Sequence, residues 1–158
     1  MREDFVFHIL NDQYAKLLEL ADRCPAEVRN QVPDGFNNTI HWHVGHVLVS
    51  TEFHIFYLSD NMQAMTLPSE YMDYFGYGTK PSDWLNEPPA WETLIDQLKA
   101  QPVQMREWLK DKLEQPVKDN FLMAETFGGL VVSTALHASY HVGNVSAMLK
   151  ALKVRATP

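Results

Sequence analysis

A single cysteine, Cys24, in 158 residues excludes an intramolecular disulfide and any cysteine-based zinc finger. It stands before a proline in a connector, which reads as a structural position and not as a reactive thiol. Basic residues are also scarce: 13 Lys and Arg stand against 20 Asp and Glu, a formal net charge of −7. That balance excludes a nucleic-acid partner, which would need a basic patch, and argues equally against an anionic membrane surface. No apolar run is long enough to span a bilayer. The opening "MREDFVFHIL" lacks the apolar stretch and small-residue cleavage site of a signal peptide, so the expected compartment is the cytoplasm. No segment alternates in the manner of a strand, and there is no internal repeat, low-complexity tract or second-domain boundary. The expectation is one all-α domain, residues 1–158.

Four stretches instead carry a helical period. The first runs from about Glu3 to Arg23, with Phe7, Leu10, Tyr14, Leu17 and Ala21 on one stripe. "CPAEVRNQVPDGFNN" breaks it with two prolines and an Asp-Gly turn signal. The second begins at Asn38 or Thr39, either able to cap it, and continues to about Ser59. It is apolar on two sides: Trp42, His46, Val49, Phe53 and Phe56 on one, and Ile40, Val44, Val47, Ile55 and Leu58 on the other. Such a helix is buried on two sides, inside a bundle or at a subunit contact. A long aromatic-rich connector follows from Asp60 to Pro89. The third helix starts at the Pro-Pro of "NEPPAWETLIDQL", with Leu94, Leu98, Met105, Leu109 and Leu113 as its stripe. Pro102 falls inside it and should kink or interrupt it. The fourth runs from about Gly129 to Leu152. Four long helices joined through one long crossover predict a four-helix bundle, with helices two and three free to run parallel.

The fourth helix poses the chemical question. Its core stripe is Leu130, Thr134, His137, His141, Val145, Met148 and Leu152, so two adjacent core positions are imidazoles one turn apart. Buried imidazole nitrogens need partners. A pair satisfied by hydrogen bonds, or sitting at the open end of the bundle, is the plain explanation; two ligands on one metal ion is the other. The zincin spacing also has two histidines four apart, but with a glutamate after the first, where this chain has Ala138. A third ligand must come from elsewhere. "NTIHWHVGHVLVSTEFHIFYL" offers His41, His43, His46 and His54. At about 100° per residue only His46 lies within the core stripe; His43 and His54 fall roughly 100–120° from its centre, and His41 points elsewhere. His8 lies off the stripe of the first helix. The candidate metal site is therefore His46, His137 and His141, with His43 as a reserve ligand or a supporting group near the mouth. Three neutral imidazoles suit a divalent transition metal such as Zn or Ni, and not Mg or Ca. Binding should weaken as pH falls through the histidine range.

"TIHWHVGHVLVSTEFH" followed about ninety residues later by "LVVSTALHASYHVGNVSAML" resembles the DinB-like (DinB/YfiT) superfamily. The resemblance covers nearly the whole chain: its length, helix order, long second connector and both motifs. It implies an all-α bundle of up-down-down-up topology that binds a divalent metal through a histidine triad, which by position is His46, His137 and His141. It also implies a homodimer. The family commonly has Arg-Gly-Gln after the second histidine of the late motif, where this chain has Val142-Gly143-Asn144. That departure removes a positive charge and with it the expected anchor for an anionic substrate. Relatives imply a metal-dependent enzyme acting on small molecules, such as an S-transferase using a low-molecular-weight thiol (bacillithiol or mycothiol), or a hydrolase. With only Cys24 in the chain, the thiol would come from a cosubstrate. The alternative is a non-catalytic, metal-stabilised or ligand-binding dimeric module. Tyr14, Glu52, Tyr57 and Tyr140 are the candidate bases that separate the two. The second apolar side of helix two, Ile40, Val44, Val47 and Ile55, is the reason on the residues themselves for expecting dimerisation.

Overall fold

The structure, a computed structural model, describes residues 2–154. Among them every named element is helical, and the only β-type pairing is an isolated bridge between Pro116 and Thr126. Four long helices carry the architecture: α1 (Glu3–Asp22), α2 (Ile40–Glu52), α4 (Trp91–Leu109) and α5 (Phe127–Ala151). A short helix, α3 (Tyr71–Phe75), interrupts the connector between α2 and α4. No helix of the described residues is long and apolar enough to cross a membrane.

The stripes read from the sequence are the buried ones. Phe7, Leu10, Tyr14, Leu17 and Ala21 of α1 are buried, as are Leu94, Leu98, Met105 and Leu109 of α4. α1 packs chiefly on α5 and then on α4, while α2 is enclosed by α3, α4 and α5. All thirteen residues of α2 are buried. Thr39 caps it by accepting a hydrogen bond from the Trp42 backbone N–H at 3.1 Å. α5 is capped in the same way by Thr126, whose Oγ1 accepts from the Gly129 N–H at 3.3 Å.

Three expectations change. α4 begins at Trp91, two residues beyond the Pro-Pro pair, because the Pro89 carbonyl is taken by His41 Nε2 at 2.9 Å. Pro102 does not interrupt α4, which runs through it to Leu109. The motive for a dimer also disappears. Ile40, Val44, Val47 and Ile55 are fully buried within a single chain, on the core face where the neighbouring Thr51 meets Tyr14 of α1 at 2.8 Å.

The seating of α3 depends on Gly45. A Cβ at that position would lie 2.5 Å from the Phe75 ring, closer than any side chain tolerates, so glycine lets the ring lie flat on α2. Farther along, the Glu52 carboxylate, 1% exposed, accepts from the Thr66 N–H at 2.9 Å and the Thr66 hydroxyl at 2.7 Å. These two contacts fasten the connector at both of its turns over α2.

Beyond Glu52 the helix changes character. Phe53–Tyr57 is a π-helix, with the Leu58 N–H bonding the Phe53 carbonyl at 3.1 Å and the Asn61 N–H bonding Phe56 at 2.7 Å. One extra residue per turn shifts the phase of every side chain that follows.

Candidate metal centre

α2 and α5 bring His46, His137 and His141 together. The three offer ligand nitrogens that all lie within 4.8 Å of one another. His137 Nε2 stands 3.3 Å from His46 Nε2 and 3.2 Å from His141 Nε2. Nitrogens about 2.0–2.1 Å from a tetrahedral ion are about 3.3 Å apart, so this spacing fits a single transition-metal ion.

Protonation fits as well. His46 Nδ1 lies 2.6 Å from the Phe75 carbonyl oxygen, which can only accept, so Nδ1 carries the proton and Nε2 presents its lone pair inward. His141 Nδ1 lies 2.8 Å from His43 Nδ1. If His141 donates there, its Nε2 is also a lone pair facing the centre. His137 Nε2 faces both neighbours and can donate to only one of them. A cation accepts from all three at once, which no arrangement of imidazole protons does. Such outward hydrogen bonds to a carbonyl or a second ring are what orient ligand histidines.

Burial holds the cluster neutral. It lowers the His46 pKa from its ordinary value, only partly opposed by the bond to Phe75. The same desolvation, reinforced by neighbouring imidazoles, lowers His137 to about 3 and His141 to about 2. His43 and His54 fall to about 4 for the same reasons. Burial thus favours the neutral, lone-pair-bearing form of these imidazoles in the folded chain.

The reserve histidines separate. His43 supports His141 from behind. His41 is buried away from the cluster, with Nδ1 3.1 Å from Asn30 Oδ1 and its ring edge-on to Trp91. His8 is exposed. His54, which the even helical wheel placed off the stripe, is a correction. It is buried with its ring 5.2 Å from that of His137 and its Nδ1 3.3 Å from Thr134 Oγ1. The π-helix turns it inward. Ser50 is the other residue missed; its Oγ lies 3.2 Å from His46 Nε2.

The cluster forms the floor of a cavity of about 990 Å³. Trp42 stacks flat on His46, with centroids 4.4 Å apart and planes 13° apart, and donates from Nε1 to Thr79 Oγ1 at 2.9 Å. A histidine triad, a late pair one turn apart and an all-helical frame agree with the family pattern, and the DinB superfamily sequence pattern matches residues 9–145. The chain belongs to the DinB superfamily. No curated protein matches it, so membership brings no particular activity with it.

Among the bases offered by the sequence, the superfamily fold leaves Tyr140 alone at the cavity. Tyr14 is deep in the core, donating to Gln101 Oε1 at 2.5 Å, and burial pushes its pKa up. Glu52 is committed to Thr66. Tyr57 stacks on Phe53 outside the cavity lining. Cys24 is 2% exposed and burial pushes its thiol up to about 11, consistent with a structural role. At the departure from the family's Arg-Gly-Gln, Asn144 donates from Nδ2 to the Tyr140 carbonyl at 2.9 Å and brings no charge to the site.

Proposed function

We propose that this DinB-superfamily protein binds one divalent transition-metal ion, Zn or Ni by donor set, through His46, His137 and His141. We further propose that it is a metal-dependent enzyme, transferring a low-molecular-weight thiol to an electrophile or hydrolysing a small substrate. The observation carrying the reading is the convergence of His46 Nε2 and His141 Nε2 on His137 Nε2, at 3.3 and 3.2 Å, on the floor of a cavity. An ion held by three imidazoles acts as a Lewis acid that lowers the pKa of a water or thiol. The chain does the remainder. Phe75 and His43 hold ligand rings by their outward nitrogens, Trp42 fixes the plane of His46, and His54 and Tyr140 are among the titratable groups on the walls. In this reading the four long helices form an up-down-down-up bundle within a single domain, with residues 58–90 as the crossover.

The cavity beside the triad favours an enzyme over a non-catalytic metal-stabilised module, since a purely structural ion needs no room around it. The test is turnover of a panel of thiols and electrophiles by Zn- or Ni-loaded protein. His137→Ala protein treated identically should be inactive. Equal rates in the two preparations, or none in either, would remove the enzymatic reading.

A further inference from the structure

The rim of the cavity has a composition unlike the rest of the surface. Tyr77 is 98% exposed, Phe121 and Tyr140 each 67% and Met72 38%, yet all four line one mouth. They come from four places in the fold: α3 (Met72), the turn after it (Tyr77), the loop before α5 (Phe121), and α5 itself (Tyr140). Deeper walls continue the pattern with Val49, Phe53 and Leu122. Charge is as selective. The chain has 20 carboxylates, yet none is among the described residues lining the cavity. One cation is, Lys80, held only loosely by Asp83 at 3.9 Å.

Lys80 is placed with some care. The preceding residue, Thr79, accepts from Trp42 Nε1 and lies 2.8 Å from the carbonyls of Tyr74 and Gly76, to one of which its hydroxyl donates. Gly78 sits at φ +83°, a conformation that favours glycine, and turns the chain into this position. The connector is thus tied to the ring that stacks on His46, and the lysine follows directly.

We infer that the cavity takes a small molecule with an aromatic or similarly apolar body and one anionic group, the body against Phe53, Phe121 and Tyr140 and the anion toward Lys80. The inference deepens the proposed function and shares its cavity, but not its ion. A volume of about 990 Å³ is at the upper end for small-molecule sites and holds such a ligand whole. The apolar walls supply affinity and the single cation supplies selection against cationic competitors.

The probes are 8-anilinonaphthalene-1-sulfonate, which has both features, and N-phenyl-1-naphthylamine, which lacks the anion. Fluorescence titrations are run on chelator-treated protein and again with zinc, with circular dichroism to confirm that each variant is folded. The sulfonate should bind one molecule per chain. Lys80→Gln should weaken it about two- to fivefold at low salt and leave the neutral probe unchanged. Phe121→Ser should weaken both. Equal effects of Lys80→Gln on the two probes, or no effect of either substitution, overturns the assignment. So does an affinity that falls as protein concentration rises, which would mean that a second copy covers the rim. Zinc stoichiometry measured on the same preparations reports the metal reading separately, so the two can fail independently.

Discussion

Acidifying the metal-free protein from pH 6.5 to pH 5 should remove several kcal/mol of stability. An unfolded histidine titrates near 6.5. In the fold, burial and mutual repulsion lower His43 and His54 to about 4 and His141 to about 2. Between those limits the unfolded chain binds protons that the folded chain refuses, so stability is complete above about pH 6.5 and declines as pH falls toward the folded values. Each such site loses about 1.4 kcal/mol per pH unit, hence about 2 kcal/mol at pH 5. His43, His54 and His141 are 4–6% exposed, so solvent screening discounts them little. Three sites sum to about 6 kcal/mol as an upper figure, since local opening lets one ring protonate before global unfolding. That is comparable with the whole stability of a typical domain. Urea unfolding at half-unit pH steps in the presence of chelator measures the slope. His54→Gln should reduce it by one proton, about 1.4 kcal/mol per pH unit. A flat profile from pH 6.5 to 5 would refute the claim that these imidazoles are buried neutral.

Zinc in hundredfold excess over its dissociation constant should stabilise the chain by about 2.7 kcal/mol and raise its Tm, read by thermal melting. His137→Ala should lose both the shift and stoichiometric metal while keeping its helical circular dichroism; retention of one ion per chain would show the triad to be wrong. His43→Ala should keep one ion per chain at about 10- to 100-fold lower affinity in competition titration, and complete loss would make His43 a ligand. Gly45→Ala pushes a Cβ into the Phe75 ring and should destabilise the fold by about 1–3 kcal/mol. It should weaken zinc as well, because the Phe75 carbonyl orients His46; wild-type values in both assays would sever that link.

The triad was legible in the sequence because His46, His137 and His141 all sit on regular α-helix, where a 3.6-residue period assigns faces correctly. His54 was not, because it lies within the five-residue π-helix that replaces the regular period after Glu52, and no propensity marks a π turn. The apolar stripes of α1, α4 and α5 named the core for the same reason that the triad was visible. The two-sided burial of α2 was read as well, with its cover left open between the bundle and a subunit contact. Nothing local in Asp60–Pro89 states that Phe75 will lie on Gly45; that contact joins residues thirty apart and exists only once α3 is seated. Lys80 was invisible for a like reason, since its place at the cavity follows from the Thr79–Trp42 bond and not from any spacing.

The ligands' positions along the chain also set when a site can exist. His46 and His137 are 91 residues apart. A nascent chain that has not yet released α5 has one of the three imidazoles and no centre at all. Metal capture is therefore a late event in synthesis, possible only after the last long helix docks on α1 and α2. An ion retained through purification would report that the chain was made at least through α5 and closed, and a product terminated before His137 would lack the centre whatever the supply in the cell.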